Sequence, residues 1–600
     1  MKLTEKQKLA ANHKDGPCLV LAVPGSGKTT MLLERIKILS NEFDPKNILN
    51  LTFSRSQAVD MKNRYLNESQ RDRINTNFMT IHAFCYLVIR NFYKKQNLEL
   101  KILEADDSYN KYNLIKEIYY KTNKRIMSDE DLKNFFSVVG YMRNSLSDLS
   151  YLKNSQIKNI NLIYQSYEKF KKDNFYIDYD DMQTLALELI NTYPNLLKSI
   201  RNKYKYIQLD EGQDTSILQF KIIEKIVAPN NNLMIVADDD QSIYGFRAAE
   251  PSYLLNFREK YPNAKFISMN ENHRSSGNIV EVCHKFIKQN KNRYDKNIFT
   301  KKDLGDKVHL ANLTDSKEVY KYIIDHMDPK KTNAILYRNN ISCLNLISFL
   351  IDDDRDFTIN FPSYDYFNSK IIRDLENIIE FSNNFYNVDL FSEIYYKINT
   401  YLNKEEIAKL AYKPKNLDVF SYLEEIVDDE KSYNLANVKR KLIHLRKLPL
   451  DRKISYIYTY MGYGTYIDTF SKKYYELIYN KDLYIESLIN FTKDLKSLDE
   501  FNEKIRKYEK MNQKLTSSNL ILSTIHRSKG LEYDNVFIID LVKNEFPMLR
   551  ENENNLLEEE RRVFYVAMTR AKKNLYLLSL KKRIGRKVQP SPFYLDIKNQ

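Results

Sequence analysis

Cysteine is scarce and scattered in this sequence. Cys18, Cys85, Cys283 and Cys343 are the only four, and no two form a CxxC pair. That spacing excludes a locally built zinc site or four-cysteine iron–sulfur cluster and fits a reduced, cytoplasmic protein. Long apolar runs are missing too: none approaches the ~18 residues that a membrane span needs. The N-terminus Met1-Lys2-Leu3-Thr4-Glu5-Lys6 lacks the apolar stretch of a secretion signal. Neither export nor membrane anchoring is expected. There is no internal repeat and no Gly/Ser- or Pro-rich linker.

What is present is enough to fold. The 600 residues exceed what one hydrophobic core usually serves, so several packed units are expected. Hydrophobic residues make up 43% and aromatics 13%, with 46 Tyr and 30 Phe, which argues against disorder. Lys plus Arg outnumber Asp plus Glu by 94 to 79, a balance that suits a polyanionic partner such as nucleic acid. A Lys-, Asn- and Tyr-rich genome would give the same balance.

Short β-rich runs recur in two groups, each run stopping at a polar motif, as the strand ends of parallel α/β sheets do. The first group is Cys18–Val23, Ile48–Phe53, Phe78–Ile81, Tyr206–Leu209, Leu233–Ala237 and Lys265–Met269. The second is Val308–Leu313, Asn333–Tyr337, Leu520–Ile525, Val536–Asp540 and Leu575–Leu580. Two stretches turn helical instead. Leu132, Phe135, Phe136 and Val139 share one face in the first. Ile371, Ile372, Leu375, Ile378 and Ile379 make a stripe in the second, as do Val438, Leu442 and Leu445. These stripes read as ordinary core faces.

The first run leads into Pro24-Gly25-Ser26-Gly27-Lys28-Thr29, a strand, a tight glycine loop and then a helical pattern. Gly25 and Gly27 let backbone N–H groups approach a phosphate, Lys28 reaches the outer phosphates, and Thr29 offers a hydroxyl to Mg²⁺. ATP or GTP binding follows. The usual first glycine of this motif is Ala22 here. Tyr206-Ile-Gln-Leu-Asp210-Glu211 supplies the carboxylates a hydrolase needs, with Asp210 for Mg²⁺ and Glu211 to orient or deprotonate the attacking water. A further strand ends in Asp238-Asp239-Asp240-Gln241-Ser-Ile-Tyr244-Gly-Phe246-Arg247. Gln241 can sense a γ-phosphate, and the aromatic and basic residues after it can hold a base and a backbone.

Together these motifs resemble the UvrD/Rep group of superfamily 1 helicases, whose ordered set recurs along nearly the whole chain. Gln7 stands at the adenine-reading position, ahead of the loop Ala22-Val23-Pro24-Gly25-Ser26-Gly27-Lys28-Thr29. Thr52-Phe53-Ser54 and Thr80-Ile81-His82 resemble the first single-strand contacts, and Ile177–Met182 the lead-in to Asp210-Glu211-Gly212-Gln213-Asp214. Glu271-Asn272-His273-Arg274-Ser275, Thr524-Ile525-His526 through Glu532, and Glu559–Ala571 complete the set.

The resemblance implies an α/β fold: two RecA-like P-loop motor domains with parallel sheets, each carrying a mainly helical insertion. The first motor domain would comprise residues 1–90 and 191–270 with its insertion at 91–190. The second would comprise 271–354 and 512–600 with its insertion at 355–511. It implies ATP and Mg²⁺ as cofactors, with Arg274 and Arg570 of the second domain meeting the γ-phosphate and Glu532 contacting the ribose. It also implies that Phe53, His82, Tyr244, Phe246, Arg247 and His526 line a single-strand groove, and that the motor steps 3′ to 5′.

Departures from the family pattern carry expectations of their own. His273 and Thr30 occupy positions where relatives sandwich adenine between tyrosine and arginine, so base selectivity is expected to rest mainly on Gln7. Ile584 stands where relatives carry an aromatic wedge, so unwinding is expected to be weaker than stepping. Only thirty residues follow Arg570, which leaves no room for an appended nuclease. The leading expectation is an ATP-dependent DNA helicase or translocase acting on single-stranded DNA and duplex junctions. The alternative is an ATP-gated DNA-sensing or translocating subunit of a repair or anti-phage complex that does not unwind alone and whose partner, such as a nuclease, does the chemistry. No motif sets an oligomeric state.

Overall fold

The computed structural model describes residues 3–69, 76–106, 109–353, 355–359, 367, 369–471, 481–513, 518–548 and 554–600. The chain divides into two compact units, Met1–Leu304 and Gly305–Gln600.

The first unit is built on six strands: β1 (Cys18–Ala22), β2 (Ile48–Thr52), β3 (Asn77–Thr80), β4 (Tyr206–Leu209), β5 (Leu233–Ala237) and β6 (Lys265–Met269). They lie in the order β3-β2-β4-β5-β1-β6, and every pairing is parallel. A parallel sheet is covered by helices on both sides, so its strands must be apolar on both faces. Leu19, Leu21, Leu49, Leu51, Ile207 and Leu209 pack in one cluster with residues of the helices Ile81–Lys95, Asp181–Thr192 and Ile217–Val227. Their neighbours Cys18, Val20, Ile48, Tyr206 and Met234 pack in another with the helix Lys28–Leu39. Because all six strands run the same way, the residues that follow β1, β2, β3, β4 and β5 emerge at one edge of the sheet. That edge is where α/β proteins bind ligands.

Between β3 and β4 a helical module has its own core, including Leu103, Ile115, Phe135, Val139, Ile163 and Tyr167. Beside it Arg143 and Lys171 each pair with both Asp178 and Asp181, at 2.7–3.1 Å. Charges this deep are tolerated because each has two partners of opposite sign.

The second unit repeats the plan. Its strands β7 (His309–Leu313), β8 (Asn333–Tyr337), β9 (Thr358–Ile359), β10 (Leu520–Thr524), β11 (Tyr533–Ile538) and β12 (Ala571–Leu580) form a parallel sheet in the order β9-β10-β8-β11-β12-β7. A large helical core lies between β9 and β10 in sequence, with Ile371, Ile378, Phe420, Leu442, Ile457 and Leu488 buried in it. The turn joining Lys582–Arg583 to Arg586–Lys587 sets Ile584 at φ +48°, with its side chain partly buried against that helical core. The expected wedge residue is thus packed onto the insertion.

Residues 271–304, expected by resemblance in the second α/β domain, pack within the first compact unit. The reason is a buried ion cluster: Lys296, fully enclosed, meets Asp238, Asp239 and Asp240 at 2.6–2.8 Å, and Arg293 meets Asp240 at 2.7 Å. Arg274 therefore sits on the same unit as the phosphate loop.

Candidate nucleotide and nucleic-acid site

The short helix Glu5–Ala11 is capped by a box in which Thr4 and Gln7 bond reciprocally, and this fixes the Gln7 side chain. Gln7 Nε2 then donates to the Ser26 carbonyl at 2.8 Å. The adenine-reading candidate is thereby hooked to the loop that follows β1. In that loop Gly25 and Gly27 have φ +70° and +79°, a region that disfavours side chains. A methyl on Gly27 would lie 2.5 Å from Gln7 Nε2, and one on Gly25 would lie 2.6 Å from Arg274 Cβ. The loop is closely framed by the two residues expected to touch opposite ends of a nucleotide.

Gly27 is also the N-cap of helix Lys28–Leu39 and offers no side-chain cap. The first-turn N–H groups and the positive end of the helix dipole are left for an anion. Ala22, Val23 and Pro24 are buried beneath the loop, while Lys28, Thr29 and Thr30 are half-buried at its end. The buried Ser26 hydroxyl has no hydrogen-bond partner among the described residues.

From the end of β4, Asp210 and Glu211 enter the same edge. Glu211 adopts φ +55°, an unusual conformation for a residue with a side chain. Its carboxylate lies 3.5 Å from Lys28 Nζ on one side and accepts from Gln213 Nε2 at 2.5 Å on the other. Burial first, and then the neighbouring Glu211 charge, push the Asp210 carboxyl up to about 7 against the opposing pull of Lys28. A cation at Asp210 would relieve both effects.

Among the described residues, no group of three or more His, Cys, Asp or Glu could hold a metal on its own. Mg²⁺ carried in with a nucleotide takes most of its ligands from phosphates and water and only one or two from the protein. Thr29 and Asp210 are of the right type, and the glycine cradle and the unpartnered Ser26 hydroxyl fit a triphosphate.

Beyond β5, Gln241 Nε2 donates to Asp238 Oδ2 at 2.7 Å, and the chain runs on to an aromatic cluster. Phe53 stacks on Tyr244 with centroids 4.7 Å apart, Tyr244 meets Phe246 at 5.9 Å, and the Arg247 guanidinium lies 5.7 and 5.6 Å from those two rings. Phe246 is 57% exposed. His82, in the first turn of helix Ile81–Lys95, is within 2.7 Å of Gln183 Nε2. Burial, and then Arg247, hold its imidazole below the ordinary value. Five of the six expected DNA contacts are thus on the first unit.

His273 is exposed, with Nδ1 3.7 Å from Glu271, and its backbone N–H donates to the Gly25 carbonyl at 3.0 Å. Asn272 Oδ1 accepts from the N–H groups of Arg274 and Ser275, shaping the turn that carries the arginine. The remaining candidates, His526, Glu532 and Arg570, are on the second unit. His526 is half-buried in the turn after β10. Glu532 pairs with Lys572 at 2.9 Å. Arg570 is buried, and its guanidinium donates to the Val566 and Leu531 carbonyls and to Thr569 Oγ1. Sequence reasoning gave no role to Lys296, Arg293, Asn272 or the side chain of Gln213. Gln213 and Asn272 carried a signal, their places inside sequence motifs; Lys296 and Arg293 carried none.

Comparison with known proteins agrees with this geometry. The family model described as UvrD/REP helicase N-terminal domain matches residues 3–262, and the UvrD-like helicase C-terminal domain matches residues 267–582. Similar proteins include the putative ATP-dependent DNA helicase YjcD of Bacillus subtilis, 28% identical over 98% of this chain and 80% of that protein. The ATP-dependent DNA helicase PcrA of Staphylococcus epidermidis is 27% identical over 99% and 86%. A probable DNA helicase II homolog of Mycoplasma capricolum is 29% identical over 96% and 84%. With a phosphate loop, paired strand-end carboxylates and two parallel α/β sheets in place, and family models matching both halves, the chain belongs to the UvrD-like helicase family.

Proposed function

We propose that this protein is an ATP-hydrolysing motor that moves along single-stranded DNA, 3′ to 5′, and opens duplexes at junctions. The observation that carries the reading is the seat of Glu211. Its carboxylate lies against the phosphate-loop lysine, and its other neighbour, Gln213, is bonded to the loop that bears the exposed aromatic cluster. Hydrolysis and strand contact are one loop apart. The printed names of the relatives, ATP-dependent DNA helicases, support ATP and DNA as the ligands.

A bound Mg²⁺–nucleotide supplies the phosphoanhydride bond to be cleaved. Backbone N–H groups of Gly25 to Lys28, with the Lys28 ammonium, bind the phosphates, and Thr29 and Asp210 would hold the cation. Glu211 accepts a proton from water as its oxygen bonds to the γ-phosphorus and the bond to ADP breaks. Arg274, Arg570 and Gln241 meet the charge that spreads over the transferring group, a task suited to rigid guanidinium forks. Phe53, Tyr244 and Phe246 stack on bases and Arg247 holds the backbone, contacts that any sequence can make. His82 and His526 complete the groove in this reading.

One observation favours a second reading, a DNA-dependent ATPase that works within a larger assembly without unwinding alone. Ile584 is aliphatic and partly buried against the helical insertion rather than an exposed aromatic. The deciding experiment is ATP hydrolysis with and without single-stranded DNA, run beside unwinding of duplexes with 3′ or 5′ tails. DNA-stimulated turnover with 3′-tail unwinding establishes the helicase. Stimulated turnover without unwinding selects the second reading, and turnover indifferent to DNA rejects both.

A further inference from the structure

Gln213 is fully enclosed, and both ends of its side-chain amide and its main-chain carbonyl are hydrogen-bonded. Its amide Nε2 donates to Glu211 Oε2 at 2.5 Å. Its amide Oε1 accepts from the backbone N–H of Asp238 at 2.9 Å. Its main-chain carbonyl accepts from Ser242 Oγ at 3.0 Å. One residue thus grips the loop 238–242 at both ends and the catalytic carboxylate at once. The same loop is braced internally by Gln241, whose N–H donates to the Asp238 carbonyl at 2.9 Å and whose amide donates to the Asp238 carboxylate. It therefore moves as a piece, and two residues past Ser242 it becomes Tyr244, stacked on Phe53.

We infer that Gln213 is the positioning residue through which strand occupancy at the aromatic cluster sets the orientation of Glu211. The inference rests on the proposed DNA-stimulated hydrolysis and names how the stimulation reaches the base. A base inserting at Phe53 and Tyr244 shifts the loop, the loop carries the Asp238 N–H with it, and the planar amide of Gln213 passes that displacement to the Glu211 carboxylate. Rigidity matters here: with both ends of one amide engaged, rotation of the side chain would break two buried hydrogen bonds and leave buried polar groups unsatisfied. Glu211 is well suited to receive such a displacement, because its left-handed backbone conformation is held by its surroundings rather than by its own preference.

The test compares the unmodified full chain with Gln213→Glu and Gln213→Met. The first keeps the shape and the acceptor for Asp238 N–H but replaces the donor to Glu211 with a carboxylate that repels it; the second loses both hydrogen bonds without adding charge. ATP turnover is measured with and without a saturating oligothymidylate, together with the affinities for a fluorescent nucleotide and for the oligonucleotide. The expected result is a stimulation ratio reduced at least about fivefold, the lower end of typical inter-site couplings, with both affinities within about twofold of the unmodified protein. A residue that merely packs would move melting temperature and both affinities together and leave the ratio alone. If the methionine variant does not fold, the isosteric glutamate variant carries the test. An unchanged ratio in the variants, while the unmodified protein is stimulated, overturns the role of Gln213. Absence of stimulation in the unmodified protein overturns the functional reading beneath it.

Discussion

Lys28 and Glu211 lie 3.5 Å apart. In the proposed mechanism the ammonium serves the phosphates in ground and transition states alike, whereas the carboxylate acts on the water only as the bond forms. Lys28→Ala is therefore expected to abolish nucleotide binding. Glu211→Gln is expected to keep binding and lose at least about a hundredfold in turnover. Fluorescent-nucleotide titration and phosphate release separate the two, and wild-type turnover by Glu211→Gln would move the base elsewhere. At Gly27 the backbone alone decides. With φ +79° and Gln7 Nε2 2.5 Å from any added methyl, Gly27→Ala is expected to destabilise the first unit by ~1–3 kcal/mol and weaken nucleotide binding. Thermal melts with and without nucleotide read both effects, and an unchanged melt would mean the loop relaxes freely.

Strands were the most legible elements. Tyr206–Leu209, Leu233–Ala237, Lys265–Met269 and Asn333–Tyr337 have the bounds their β-rich runs suggested. Such runs are clear because a parallel strand is apolar on both faces and stops where polar ligand-binding residues begin. The apolar stripes of helices Lys370–Asn383 and Asp429–Arg446 are buried as their spacing implied. The strap after Arg274 was not legible. Its anchor is Lys296, one lysine among many in a Lys-rich chain, and only folding sets it beside three aspartates. Lys296→Met leaves Asp238 and Asp239 without their buried cation and Asp240 with Arg293 alone. Breaking a buried pair from one side costs ~3–5 kcal/mol, so the urea midpoint of the variant is expected to fall accordingly. A midpoint matching wild type would show that water reaches the aspartates.

At the scale of the whole molecule, buried charge joins the second helical insertion to its sheet. In the second unit the joint is Arg583, fully enclosed, which meets Asp540 at 2.8 Å and Glu545 at 2.6 Å and also pairs with Glu486 on the insertion helix Lys481–Phe491. Burial pushes the Glu545 carboxyl up to about 7, Arg583 opposing and Asp540 adding to the rise. The sign of its effect on stability follows. The folded state holds this proton more tightly than the unfolded chain, so the contribution is complete below the ordinary value of 4.5 and is lost as pH rises through about 7. Glu545→Gln removes that titration. The melting temperature of the variant relative to wild type is therefore expected to rise from about pH 5 to about pH 8. A difference that stays constant across that range would mean Glu545 is ionised throughout.

The sequence by itself determined the class of fold, the strands and the motif residues, because these depend on short-range pattern. Alternation, apolar runs, glycine at positive φ and carboxylates at strand ends are all written within a few residues of one another. The first unit's Gln7, phosphate loop, Glu211 and aromatic cluster could be named before any coordinates. Tertiary structure alone decided what surrounds Arg274 and Ile584, and that Gln213 joins the Glu211 carboxylate to the loop 238–242. Those facts rest on side chains far apart in the chain, such as Lys296 with Asp238 or Arg583 with Glu486. No local spacing encodes such pairs, because their geometry exists only once each unit has folded and its charges have been driven out of water together.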